Sequence, residues 1–153
     1  MCTPMSTHTI MASDVLREQL YSHAMSCFPE ECCGLLVSGE DGPRVVLSEN
    51  LANHYHQRDP HTYPRDATES YVMNPLEIVA AEKGGETIVA IFHSHCGTGA
   101  YFSNDDLRAA LCHERQSPLH PGTEYVVLDA RQDGVHGFKV FAWSPFAEDF
   151  VEQ

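Results

Sequence analysis

Residues 91–107 read IFHSHCGTGAYFSNDDL, and the fold turns on how this stretch is read. It continues from Thr87 as an uninterrupted β-branched and apolar run, the best buried-strand candidate in the chain. The run ends on His93 and His95. Strand side chains alternate, so positions i and i+2 face the same side and two imidazoles stand together where the strand ends. A Gly-bearing loop follows, and then Ser103-x-x-Asp106 opens a helix expected over 104–115. Taken alone, Ser-x-x-Asp is a capping pattern that satisfies the orphan N–H groups of a first helical turn. Taken with the histidines, it delivers a carboxylate at a fixed distance from two imidazoles. Two nitrogens and one carboxylate oxygen suit zinc in an open catalytic site. His93, His95 and Asp106 are therefore the candidate metal ligands.

Working outward, the rest of the pattern is mixed. Ser13 or Asp14 can cap a helix running to about Cys27, with Val15, Leu16, Leu20, His23, Ala24 and Cys27 on one face. Pro29 stops it. CCGLLVSG (32–39) and RVVLSEN (44–50), joined by the turn residues GEDG, predict a β-hairpin. Residues 50–70 are polar, carry two prolines and read as a long functional loop. The second H-x-H pair, His54 and His56, falls there and reads as solvated. Asn74 and Pro75 open a helix that Gly84 and Gly85 close. EYVVLDA (124–130) and GFKVFAW (137–143) are two further strands around a turn-like RQDG. The order predicts an α+β (mixed α/β) fold, with helices flanking a mostly antiparallel sheet. Residues 1–12 are expected to be a flexible N-terminus, 13–145 the domain, and 146–153 a tail presenting Phe146 and Phe150.

Composition narrows the function. A chain of 153 residues with 42% hydrophobic residues fits one soluble domain. Nine basic against 22 acidic residues give a net charge of −13, which disfavours nucleic acid and anionic membranes as partners. The N-terminal segment has no basic region followed by an apolar run, so the expected location is cytoplasmic. The six cysteines form no C-x-x-C pair and read mostly as small buried hydrophobes in a reducing compartment.

The spacing His93-Ser94-His95, seven residues, Ser103-x-x-Asp106 resembles the signature of the JAMM (MPN+/JAB) zinc metallopeptidases. An upstream segment, PEECCGLL (29–36), resembles that family's P-x-E-x-C-G-L-L motif and places Glu31 at its catalytic glutamate. The resemblance spans residues 14 to 143 and is nearest to small prokaryotic members. It implies an MPN/JAB-like, cytidine-deaminase-like sandwich. It implies one zinc ion with a catalytic water, bound by His93, His95 and Asp106. Glu31 would be the general base and proton carrier, and Ser103 the hydrogen-bond donor to the oxyanion. It also implies a substrate: the C-terminal tail of a ubiquitin-like or sulfur-carrier protein, cut after a diglycine at a peptide or isopeptide bond. A catalytically silent scaffold of the same fold would lack ligands, and all five residues are present here. The sequence departs from the family at two loop positions, where Cys96 and Phe102 stand in place of the usual prolines. Phe102 is expected to add an apolar wall to a less stiff loop. Cys96 reads as an uncoordinated thiol, because its neighbour His95 is already a ligand.

Overall fold

The computed structural model describes residues 3–153. In chain order its elements are α1 (Thr7–Ala12), α2 (Asp14–Cys27), β1 (Cys33–Gly39), β2 (Gly42–Ser48), α3 (Ala52–Arg58), α4 (Leu76–Lys83), β3 (Thr87–Cys96), α5 (Asn104–Ala110), β4 (Leu111–Cys112), β5 (Ser117–Pro118), β6 (Glu124–Arg131), β7 (Gly134–Ser144) and β8 (Asp149–Glu152). Six strands make one sheet in the order β2-β1-β3-β6-β7-β8, and β4 pairs with β5 in a small separate ribbon. Every pairing in the large sheet is antiparallel except β3 with β6. The structure is thus α+β with a mostly antiparallel sheet, as the element order predicts.

Strand alternation splits the core into two layers. Leu36, Phe92, Val126, Leu128 and Val140 face α1 and α2, where Ile10, Met11, Leu20 and Ala24 are buried. Leu35, Val37, Ile91, Tyr125 and Val127 face the other way, against Ile78 and Ala81 of α4 and Ala110 of α5. His93 and His95 continue the Ile91 side of β3, so the site lies on the α5 face of the sheet. Gly34 is fixed by packing. A Cβ there would stand 2.1 Å from the Val46 carbonyl oxygen and 2.5 Å from the Phe92 ring. This close approach accounts for the glycine in the PEECCGLL segment.

Several expectations need correction. Residues 7–12 are helical, not frayed. Ser6 caps α1, Ile10 and Met11 enter the core, and the buried Thr7 hydroxyl donates to Glu124 at 2.6 Å. Residues 50–70 contain α3, which the polar composition hides because it carries no apolar period. Its support comes instead from the Tyr55–Tyr63 ring contact and from His56 Nδ1, which donates to the Tyr63 carbonyl at 2.7 Å. The helix expected to 115 stops at Ala110, where the chain turns into β4. In α2, Val15 points to solvent rather than to the core. The C-terminal residues expected as a tail are partly ordered in the sheet. They form β8 along β7, with Phe150 buried and Phe146 fully exposed. Of the described cysteines, all free thiols, only Cys32 and Cys33 are buried; Cys27, Cys96 and Cys112 are partly exposed.

Candidate metal centre and cleft

At the end of β3 the His93 and His95 Nε2 atoms stand 3.2 Å apart. Each lies 3.1 Å from an Asp106 carboxylate oxygen, His93 from Oδ1 and His95 from Oδ2. All three residues are buried. Asp106 reaches them because it is also the third residue of α5 in a complete capping box. The Ser103 hydroxyl accepts from the Asp106 N–H at 3.0 Å, and the Asp106 carboxylate accepts from the Ser103 N–H at 2.9 Å. The cap and the donor reading of Ser103-x-x-Asp106 therefore coexist, since the cap aims the carboxylate at the imidazoles.

The chemistry of the trio fits a metal ion. His95 Nδ1 lies 2.9 Å from the Gly99 carbonyl, which can only accept, so that nitrogen carries the proton. In the neutral ring Nε2 is then a lone pair facing a carboxylate oxygen. Two acceptors facing each other repel unless a proton or a metal ion lies between them, and the three side chains are placed to share one such ion. The observed separations are close to the edge of a tetrahedral zinc centre, about 3.3–3.4 Å for bonds of about 2.0–2.1 Å. His93 is oriented differently: its ring stacks on Tyr71 at 4.4 Å, and its Nδ1 is buried without a hydrogen-bond partner. Burial pushes the His93 pKa down despite the neighbouring Asp106, so this imidazole stays neutral, as a metal ligand must be. Burial alone would raise the Asp106 carboxyl. The His93 imidazole beside it and the Ser103 N–H prevail and hold it well below the usual carboxylate range. Among the described residues, this is the group whose donors converge closely enough to hold a metal ion.

His95 and Asp106 form the floor of a cleft of about 470 Å³, with His93 fully buried against them; its walls include Glu31, Arg65, Glu69, Cys96 and Ser103. Glu31 is almost fully buried, and its pKa is pushed up to about 9. Desolvation is the main cause, the Asp106 charge adds to it, and the Arg65 guanidinium opposes it. Four groups absent from the sequence reading set its position. The Ser94 hydroxyl, on the opposite face of β3 from the histidines, accepts from the Cys32 N–H at 2.8 Å. The Glu31 N–H donates to the Ala67 carbonyl at 2.7 Å. Asn50 Nδ2 donates to the Glu31 and Ser70 carbonyls at 2.9 Å each, while its Oδ1 accepts from the Ala52 and Val72 N–H groups. Asn53 ties the Glu30 carboxylate to the Ala67 N–H. An asparagine just ahead of a polar helix is the sole sequence hint for this network.

Phe102 does not wall the cleft. It inserts under the loop among Tyr125, Phe141 and Phe150 at ring distances of 5.1–5.3 Å, anchoring the segment that its missing proline would have stiffened. The exposed apolar wall is Tyr101, whose ring meets His95 edge-on at 4.7 Å. Cys96 lines the cleft but is not part of the converging trio, and burial pushes its thiol up to about 11. His54 and His56 sit on α3, outside this cleft.

The sequence profile of prokaryotic homologs of the JAB domain matches residues 13–134. Similar proteins named CysO-cysteine peptidase occur in Mycobacterium bovis and Mycobacterium tuberculosis. Each is 28% identical over 123 residues, which cover 80% of this chain and 74% of the relative. A tail tip assembly protein K from Escherichia phage N15 is 29% identical over 103 residues, 67% of this chain and 36% of the phage protein. Two solution structures share the fold. A Desulfitobacterium hafniense protein has a TM-score of 0.64 at 24% identity, with 92% of this chain and 87% of that one covered. A Salinibacter ruber protein has a TM-score of 0.57 at 24% identity, with coverages of 93% and 86%.

Proposed function

The chain belongs to the family of prokaryotic JAB-domain homologs, a peptidase family, and from that premise we propose that it is a zinc-dependent peptidase acting after the C-terminal diglycine of a ubiquitin-like protein. The observation that carries this reading is the convergence of His93, His95 and Asp106 where His95 and Asp106 meet the cleft that Glu31 lines. These three residues would hold the ion. When bound, zinc supplies Lewis acidity, bringing the pKa of water at the site to about 7 and polarising the scissile carbonyl.

The chain's own groups supply the rest. Glu31 takes a proton from the attacking water as the new C–O bond forms, and passes it to the amine nitrogen as the C–N bond breaks. Burial chiefly, and the Asp106 charge with it, raises the Glu31 carboxyl; a cation held by the trio would oppose both and favour the ionised carboxylate that a base needs. Ser103 serves twice. Its oxygen accepts the Asp106 N–H, and its hydroxyl proton remains available to the developing oxyanion. Glycines on the substrate suit this cleft, because a tail without side chains brings its backbone close to the buried donors.

Relatives named for a cysteine conjugate support one setting in particular: removal of cysteine or a short peptide from a sulfur-carrier protein. Maturation or deconjugation of a ubiquitin-like modifier is the other setting for the same chemistry. A cytoplasmic location agrees with the free thiols of the described cysteines, and no helix among the described residues is long and apolar enough to cross a membrane. The test is Glu31→Gln assayed on a carrier fusion with a residue following the diglycine. The variant should keep the zinc content of wild type and lose about 10²–10⁴-fold in turnover. A wild type that holds no zinc, or a variant that keeps its rate, overturns the reading.

A further inference from the structure

The cleft is acidic. Glu31, Glu69 and Asp106 line it, in a chain of net charge −13. A substrate that ends one residue beyond the scissile bond brings its own negative charge, the terminal α-carboxylate, into this field. Recognition of that group needs a cation. Among the described residues lining the cleft, Arg65 is the one lysine or arginine.

Its placement is tied to the proton carrier. Two residues further on, the Ala67 carbonyl accepts the Glu31 N–H at 2.7 Å, and the Ala67 N–H donates to Asn53 Oδ1 at 2.8 Å. The segment bearing Arg65 is therefore fastened to the residue that would protonate the leaving amine. The Arg65 charge also reaches the Glu31 carboxyl, which it draws down against burial. At rest Arg65 Nη1 pairs with Asp105 Oδ2 at 2.8 Å, and both side chains are about half exposed, at 53% and 42%. Pairs this open are weak and easily exchanged. Asp105 also has a second cation at hand, Arg108 Nη1, 3.6 Å from its other oxygen. Arg65 can therefore leave Asp105 without stranding a carboxylate, and its planar fork matches an incoming carboxylate in two parallel hydrogen bonds.

We propose that Arg65 is a specificity-determining residue that binds the free α-carboxylate of a single amino acid following the diglycine, so that the enzyme trims one residue from a carrier tail in preference to cutting an isopeptide bond. The proposal rests on the peptidase reading above. In the bound substrate, the leaving residue presents its amine nitrogen to Glu31 and its carboxylate to Arg65. An isopeptide-linked lysine side chain offers no carboxylate at that place.

The test uses the zinc-loaded protein and a synthetic carrier-tail peptide ending in Gly-Gly-Ala, prepared as the free acid and as the C-terminal amide. The free acid should be cleaved with a kcat/KM about 10–100-fold above the amide. Arg65→Gln should abolish that ratio and Arg65→Lys should retain part of it. Asp105→Asn, which breaks the ion pair but leaves the guanidinium, should keep the ratio or raise it. An equal rate on acid and amide in wild type overturns the proposal. So does an Asp105→Asn variant that loses the ratio as fully as Arg65→Gln, because Arg65 would then act only as a brace to α5. Calorimetric binding of both peptides to the zinc-loaded Glu31→Gln protein separates the two readings. Tighter binding of the acid with no turnover in wild type sinks the peptidase reading and upholds Arg65 as the carboxylate site. Equal binding of acid and amide sinks the Arg65 proposal, even where wild type cleaves.

Discussion

The floor and the outer wall of the cleft are built by different means. The floor comes from one stretch, residues 93–106, in which strand alternation pairs two imidazoles and a capping box swings a carboxylate onto them. Its donors are buried and within 3.2 Å of one another. The wall is assembled from distant pieces. Glu31 precedes β1, Arg65 and Glu69 follow α3, and Asn50, Ser94 and Ala67 hold them together through hydrogen bonds between residues far apart in the chain. Local geometry makes the floor self-sufficient, whereas the wall depends on long-range contacts. The proposed metal centre should therefore survive damage that misplaces Glu31, the proposed proton carrier.

The largest effect is expected from breaking the floor itself. His95→Ala or Asp106→Ala removes one of three donors, so zinc content measured by elemental analysis should fall from one per chain to near none, and cleavage to background. Next is Ser103→Ala, which removes both the cap and the proposed oxyanion donor. Turnover should fall by about 10²–10³-fold with zinc retained, and denaturant unfolding should show a loss of about 1 kcal/mol from the missing cap. If stability drops and activity survives, Ser103 is a cap alone.

Asn50→Ala attacks the wall. It leaves the Glu31 and Ser70 carbonyls and the Ala52 and Val72 N–H groups without their partner. A stability loss of about 1–3 kcal/mol is expected, with reduced turnover and unchanged zinc content. Loss of zinc in this variant would show that floor and wall are not independent.

The most specific effect is on pH. In the metal-free chain the Glu31 carboxyl is raised from 4.5 to about 9. Its folded pKa lies above the unfolded one, so its contribution to stability is complete below about pH 4.5 and is lost as pH rises towards about 9. Glu31→Gln does not titrate. Metal-free Glu31→Gln should therefore gain stability relative to metal-free wild type as the pH of a urea titration goes from about 5 to about 8. A constant difference between the two would mean that Glu31 is solvated in the free chain.

The same division explains what could be read in the sequence. His93, His95, Ser103 and Asp106 were legible because side-chain alternation and capping are properties of neighbouring residues. The β1–β2 hairpin, α2 and the run from Thr87 were legible for the same reason. Glu31 had no local signal beyond its place after Pro29, and was recoverable only through the likeness of PEECCGLL to a known motif. Asn50 and Ser94 act on residues 19 and 62 positions away, which no local pattern encodes. The helix α1 was missed because its reward lies in the sheet, where Thr7 meets Glu124. Phe102 was misplaced because its partners Phe141 and Phe150 lie on strands far along the chain, one of them in a segment that reads as a tail. Arg65 looks like one more charge in a polar loop until Asp105 and Glu31 are seen beside it.

The central claim is that His93, His95 and Asp106 hold the ion with which Glu31 hydrolyses the bond after a diglycine. The most direct measurement is the mass of a carrier protein ending in Gly-Gly-Cys after incubation with the zinc-loaded chain, with the chelated chain, and with the chelated chain resupplied with zinc. The expected result is loss of one cysteine in the first and third reactions and an intact carrier in the second. A chain that holds one zinc and leaves the carrier whole, or one that cleaves it equally well under chelation, would contradict it.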